Sequence, residues 1–388
     1  MTSTIIIIFC SLLLVAYVFN LTAAKTKIPS VILLLLLGWG IKQITLFLEF
    51  QLPDFSTLLP VLATIGLVLI VLEGSLELEL SKSKIGLINK SLMGALFPMI
   101  VLALLLAFMF RHFGNTSFKI SLINAIPLCI ISSAIAIPSA RNLSIFNGEF
   151  VTYESSLSDI LGVLFFNFIV LNSSIDIYSF GYFGLQLVIV IIVSFVATIG
   201  LALLLRKIDH HVKFVPIILL VILIYEVSKT YHLPALIFIL VFGLSIGNLG
   251  KFERLKWIKK FNTDEIKSEI QKFKDLTIEG AFLITALFFI LFGYMLKKSE
   301  ILNKETLIWS LSIVIIIFLF RAIQLKLSKL ELIPLLFIAP RGLITILLFL
   351  AIGPSDSILL VNKSLIIQVI ILTTLIMTFG IMLTSKKE

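Results

Sequence analysis

The chain has 388 residues, 59% hydrophobic and 14% charged, with a net charge of +9 at pH 7 and a mean hydropathy of +1.15. Soluble domains carry about 25% charged residues, so a soluble fold is excluded. The apolar stretches are continuous rather than alternating, which selects membrane-spanning helices over a closed barrel.

An all-α polytopic membrane protein of about thirteen transmembrane helices is expected, with spans at 4–20, 28–45, 57–78, 89–110, 118–140, 150–172, 183–206, 214–230, 233–249, 278–297, 306–325, 331–353 and 364–384. Span 1 has no basic leader and no small-residue cleavage site, so it is expected to remain a span and not a removed signal peptide. Cys10 in span 1 and Cys129 in span 5 lack partner spacing or a metal pattern and are expected to be inert core residues. Span 2 places Pro29 and Gly38 as span 9 places Pro234 and Gly243, at one constant offset. Spans seven apart cross in opposite directions, which is the inverted-repeat plan of many secondary transporters. The chain then reads as one transporter domain: repeat 1 over 4–172, a linker helix over 183–206 and repeat 2 over 214–384. Span 3 ends in Glu73, Glu77 and Glu79. The last two are expected at the interface, and Glu73, one turn deeper, in a structural hydrogen bond.

Spans 5 and 12 correspond on this plan, and both are poor helices in the middle. Span 5 contains Ile131-Ser132-Ser133-Ala-Ile-Ala-Ile-Pro138, and span 12 contains Ile338-Ala-Pro340-Arg341-Gly342-Leu. Serine and proline free backbone carbonyls. Paired discontinuous helices point to a midplane binding site, and Arg341 is expected to stabilise the second break and set the local potential. Span 6 carries Glu154-Ser155-Ser156-Leu157-Ser158-Asp159 at the head of an apolar run. A carboxylate near mid-membrane costs about 2.5–3.5 kcal/mol even on the lenient insertion scale, so an ion or proton pathway is the default inference for Asp159. Glu154 and Asp159 are five apart, roughly 140° around a helix, and do not share a face. Ser155 does share the face of Asp159, and Ser158 adjoins it. A lone carboxylate with hydroxyl neighbours holds either a proton or a dehydrated cation, and that competition is itself an exchange mechanism. Arg321 in span 11 falls at the depth of Glu154, and the two are expected to pair, because pairing lowers the burial cost of both.

The basic connector over 250–276 carries Leu255, Trp257, Ile258 and Phe261 among lysines. It suits a helix on an anionic membrane surface or a solvated link between halves. Of the 31 Lys and Arg residues, twenty-one follow odd-numbered spans and eight follow even-numbered ones. That bias puts the N-terminus outside and the C-terminus in the cytoplasm, and it accounts for the net charge without nucleic acid. His112, His210, His211 and His232 lie in loops or at span ends, with no metal spacing. An enzyme, a cofactor and a resident metal all lack support.

Leu69-Ile-Val-Leu-Glu-Gly-Ser-Leu-Glu-Leu, the Glu154 to Asp159 motif, Leu-Phe-Arg321-Ala-Ile and Pro340-Arg341-Gly342-Leu together resemble the monovalent cation/proton antiporter superfamily, in its order and spacing. The resemblance implies a Na+/H+ exchanger fold with two crossing discontinuous helices, commonly a homodimer, with a scaffold and a moving ion-carrying core. It implies that Asp159 binds ion and proton and that the Glu154–Arg321 pair steadies the core. Two departures stand out. Ser158 occupies a position where the family usually has Asn or Asp. Ser132-Ser133-Ala134-Ile135 stands where the sodium branch often has Thr-Asp-Pro, and looks more like the potassium-efflux branch. The expected activity is exchange of Na+, Li+ or K+ for H+ across the cytoplasmic membrane, electroneutral because one acid titrates. Asp159 is the shared ligand, assisted by Ser158, Ser155, Ser132 and Ser133. A K+-selective efflux exchanger, a cation-coupled symporter of an organic solute and a non-transporting ion sensor are the alternatives.

Overall fold

A backbone in lipid must satisfy its own hydrogen bonds, and long apolar helices do so with least dependence on neighbours. The structure, a computed structural model, describes residues 2–26, 28–49, 55, 57–78, 81–140, 143–172, 176–207, 214–231, 233–248 and 263–384. In chain order the helices are α1 (Thr2–Thr26), α2 (Ser30–Phe47), α3 (Leu58–Glu77), α4 (Ile85–Gly114), α5 (Phe118–Ala125), α6 (Ser133–Ala140), α7 (Ile145–Leu171), α8 (Ile177–Lys207), α9 (Phe214–Thr230), α10 (Ala235–Gly247), α11 (Thr263–Met295), α12 (Lys298–Ile301), α13 (Lys304–Leu327), α14 (Leu343–Ala351) and α15 (Lys363–Thr384). Among the described residues there is no strand, and ten helical segments are long and apolar enough to cross a membrane. Ten of the thirteen expected spans coincide with these segments. Those at 214–230, 233–249 and 331–353 fall on helices of 17, 13 and 9 residues.

The largest boundary difference is at the connector. Residues 249–262 lie outside the described residues, and from Thr263 the chain is already α11. Hydropathy cannot see these first turns, because they are built from polar helix formers tied by local pairs such as Lys272–Glu269 at 3.0 Å. Glu79, Arg141, His210, His211 and His232 also lie outside the described residues. Cys10 is exposed on α1 rather than in a core, a correction that follows from α1 having an apolar surface nearly all round.

The chain forms two compact units. One comprises Met1–Thr64, Lys90–Gly162 and Leu283–Glu388; the other comprises Ile65–Asn89 and Val163–Phe282. In the second unit α10 packs on α8 and α9. Leu185, Val188, Ile192, Phe195 and Val196 leave one face of α8 apolar and open, as lipid requires, whereas Val190 and Ser194 are buried. Gly243 and Gly247 let α10 lie against α3: an added Cβ would stand 1.8 Å from Ser75 Oγ and 2.6 Å from the Leu76 carbonyl, respectively. The first unit has a contact of the same kind. A Cβ on Gly38 of α2 would lie 2.0 Å from the Ile290 carbonyl of α11, and one on Gly293 would lie 2.3 Å from the Leu35 carbonyl. Small residues at both crossings let backbones touch, the usual substitute in lipid for hydrophobic drive.

Both interrupted spans belong to the first unit. Span 5 runs as α5, a 3-10 turn over Ile126–Cys129 and then α6; span 12 runs as a 3-10 turn over Leu335–Phe337 and then α14. α15 packs closely on the second turn, where a Cβ on Gly380 would collide with the Phe337 ring at 2.1 Å.

Candidate functional site

Each break frees backbone groups that have no water to turn to, so their partners define the site. Between Cys129 and Ser133 the chain is extended, and three consecutive amides leave the helical ladder. Ile131 N donates to Ser158 Oγ at 3.0 Å, Ser132 N to the Pro340 carbonyl at 2.9 Å and Ser133 N to Asp159 Oδ2 at 3.1 Å. One break is therefore held by the other break and by α7. Pro127, Pro334 and Pro340 add no donor that would need a partner.

Arg341 collects the freed carbonyls. Its Nε donates to Leu128 O at 2.7 Å and Nη1 to Ala339 O at 2.9 Å, while its backbone amide donates to Thr373 Oγ1 at 3.2 Å. Leu128 lies in the first 3-10 turn and Ala339 just beyond the second, at helical ends where peptide dipoles leave negative partial charge. A buried guanidinium, 2% exposed, is thus balanced by two main-chain ends. Gly342 makes the crossing possible, since an added Cβ would sit 2.6 Å from Ser132 Oγ and 2.8 Å from Ile135 Cδ1. Gly342→Ala is expected to force the breaks apart at a cost of about 1–3 kcal/mol. Melting temperature and transport should both fall, while Gly40→Ala, where nothing lies within 4 Å, should leave both unchanged.

Asp159 is 1% exposed and opposite in role to Arg341. Its Oδ2 accepts from both the amide and the hydroxyl of Ser133, capping the first turn of α6 with negative charge at a helix N-terminus. Its Oδ1 is buried and has no hydrogen-bond partner. Gly162, one turn on, lets the Ile130 side chain close over α7, because a Cβ there would lie 2.3 Å from Ile130 Cδ1.

Glu154 and Arg321 form a bidentate pair, Nη1 to Oε1 at 2.5 Å and Nη2 to Oε2 at 2.7 Å, both side chains at most 3% exposed. Gln324 Nε2 donates to Glu154 Oε1 at 2.8 Å, and Gln324 Oε1 accepts from Arg321 Nη1 at 2.8 Å. Arg321 Nε reaches the Leu335 carbonyl at 3.2 Å, so the pair also holds the 3-10 turn of span 12. Gly94 on α4 leaves room for it; a Cβ would stand 2.8 Å from Glu154 Oε1.

Residues 9–385 match the family model described as "Sodium/hydrogen exchanger, transmembrane". The chain belongs to the sodium/hydrogen exchanger family. Its fold is similar to that of the sodium proton antiporter MjNhaP1 from Methanocaldococcus jannaschii. A structure of that antiporter at pH 8 matches with a TM-score of 0.64 and 19% identity, covering 100% of this chain and 97% of the other. A second, from an electron-microscopy map, matches with a TM-score of 0.68 and 19% identity, covering 99% and 95%. No curated protein sequence matches the chain.

In this exchanger, Ser133 and Asp159 meet directly, and Ser132 lies against Gly342 with its hydroxyl unpartnered. The hydroxyls of Ser155 and Ser158, expected beside Asp159, have backbone partners. Ser155 Oγ donates to Val151 O at 2.7 Å, the local sink a helix offers a serine. Ser158 Oγ is occupied by the Ile131 amide. Glu73 lies half-buried on α3. Gln324, Gly94 and Thr373 were missed. Gln324 had a signal, being three residues on from Arg321 and hence on its face; the other two act through tertiary contacts that leave no local pattern.

Proposed function

We propose that this exchanger is a secondary antiporter moving a monovalent cation, Na+ foremost with Li+ and K+ as congeners, against H+ by alternating access. The observation that carries the reading is the divided carboxylate of Asp159, with Oδ2 fixed to α6 and Oδ1 buried and unpartnered. A buried carboxylate oxygen without a donor is costly unless a proton or cation completes it. Either species does so, and one site cannot hold both. Exchange of one for the other is then electroneutral, and no covalent step is required. The paired glycine contacts, α2 with α11 and α10 with α3, support the inverted repeat of 4–172 and 214–384, since exchanging equivalent spans converts one contact into the other. We place the protein in the cytoplasmic membrane, N-terminus outside and C-terminus in the cytoplasm, on the loop-charge bias, and as a homodimer among lipids on the family resemblance.

A K+-selective exchanger is the second reading. It is favoured by Ser132 and Ser133 standing where the sodium branch often has an acid, which leaves one carboxylate among neutral oxygens.

Purified protein in liposomes with an internal pH dye tests both. Collapse of a pH gradient by Na+ or Li+ is expected, with half-saturating cation rising as pH falls and maximal rate unchanged, as competition for one carboxylate demands. Uptake driven by membrane potential at zero pH gradient would overturn the 1:1 exchange, and a response to K+ alone would select the second reading.

A further inference from the structure

Many buried hydroxyls on the helices of this exchanger are spent on the carbonyl four residues back. Thr373, Thr374 and Thr378 donate to Val369, Ile370 and Thr374 at 2.6–2.8 Å, and Thr198 and Thr277 do the same. Thr345 is 1% exposed, yet its Oγ1 has no partner. The cause is local. Thr345 is the third residue of α14, and the residue four back is Arg341, in the break, where the ladder that would present its carbonyl does not exist. The Gly342 carbonyl, three residues back, accepts from Ile346 N at 3.1 Å and receives no bond from the Thr345 hydroxyl. No side chain caps α14.

The free hydroxyl is not isolated. Gly342, which opens α14, faces Ser132: the direction of its missing side chain points at Ser132 Oγ, 2.6 Å from where a Cβ would be. Side chains on a helix tilt towards its N-terminus and those three apart are neighbours. Thr345, three residues on from Gly342, falls by helix spacing on the side of the first turn of α14 that meets Ser132. Ser132 Oγ is also buried and unpartnered, and the next residue, Ser133, binds Asp159, whose Oδ1 is the third unpartnered oxygen. Donors to these oxygens are scarce, because the amides of residues 131, 132 and 133 are committed elsewhere.

We infer that Thr345 is a specificity-determining residue, its hydroxyl joining Ser132 Oγ and Asp159 Oδ1 as oxygens that receive the dehydrated monovalent cation, so that both broken helices contribute to the site. The inference rests on the antiport reading with Asp159 as carrier. It assigns cation recognition to three oxygens of which one is charged, and it gives α14 a part in binding as well as in the crossing. Proton binding needs only Asp159 and does not use Thr345.

The test compares wild type, Thr345→Val and Thr345→Ser in liposomes at fixed pH, scanning Na+, Li+ and K+. Valine keeps the volume and removes the oxygen. It is expected to raise half-saturating Na+ about tenfold, the scale of one lost polar contact, with maximal rate held within about twofold and the Li+ to Na+ preference altered. Serine restores the oxygen and should return wild-type affinity. If the valine yield drops, Thr345→Ala carries the same comparison. Unchanged half-saturation in the valine or alanine variant would overturn the assignment, as would a serine variant no better than valine. Wild type that exchanges, and stops exchanging in Asp159→Asn, keeps the antiport reading intact whichever way Thr345 falls.

Discussion

Asp159→Asn is expected to abolish cation/proton exchange while leaving the protein folded. The amide retains a carbonyl oxygen able to accept the Ser133 N–H that Oδ2 now accepts, so the cap on α6 survives. What it loses is the charge that attracts a cation and the site that takes a proton. Asp159→Ala removes the acceptor as well. It should be equally inactive and less stable by about 0.5–2 kcal/mol, the usual cost of a lost helix cap. Dye-reported pH-gradient collapse in everted vesicles measures the first effect, and thermal unfolding in detergent separates the two variants. Exchange retained in Asp159→Asn would remove this carboxylate from the ion path.

The second large effect is expected at the Glu154–Arg321 pair, which holds α7 to α13. Arg321→Leu would leave Glu154 buried beside Gln324 with no cation, and Glu154→Leu would strand the guanidinium. Either change is expected to cost about 3–5 kcal/mol, because the remaining charge loses its partner but stays desolvated. Transport should fall with it, since Arg321 also holds the Leu335 carbonyl next to the second break. The double variant Glu154→Leu/Arg321→Met is expected to melt closer to wild type than either single one, as apolar replacement of a whole buried pair is often tolerated. If the single variants melt like wild type, the pair does not brace the core.

Much of this arrangement could be read from the residues, for reasons that differ by level. Span positions were legible because a 20-residue apolar run has few alternatives in a membrane protein. The polar start of α11 was not, since hydropathy is blind to a helix that continues out of the apolar zone. The breaks were legible from Ser132, Ser133, Pro340 and Gly342, which disturb a ladder by their own chemistry. Their partners were not. Whether Ser158 turns to Asp159 or to the Ile131 amide is decided by which backbone group the other break leaves short of an acceptor. For Ser155, sharing a face with Asp159 could not show that its hydroxyl donates to Val151. Asp159, Glu154 and Arg321 stood out because charge in an apolar run is expensive, whereas Thr345 looks like any helical threonine until the residue four back is seen to lie outside the helix.

The partners of Arg341 have one more consequence. Its charge is balanced by the carbonyls of Leu128 and Ala339, which are main-chain groups and cannot dissociate, titrate or exchange. Ionic strength weakens pairs between exposed charges but reaches buried ones poorly. A protein whose substrate is itself a dissolved salt works at whatever concentration its surroundings impose. With its crossing tied by peptide carbonyls, the carrier's geometry is insulated from the concentration of the ions it carries.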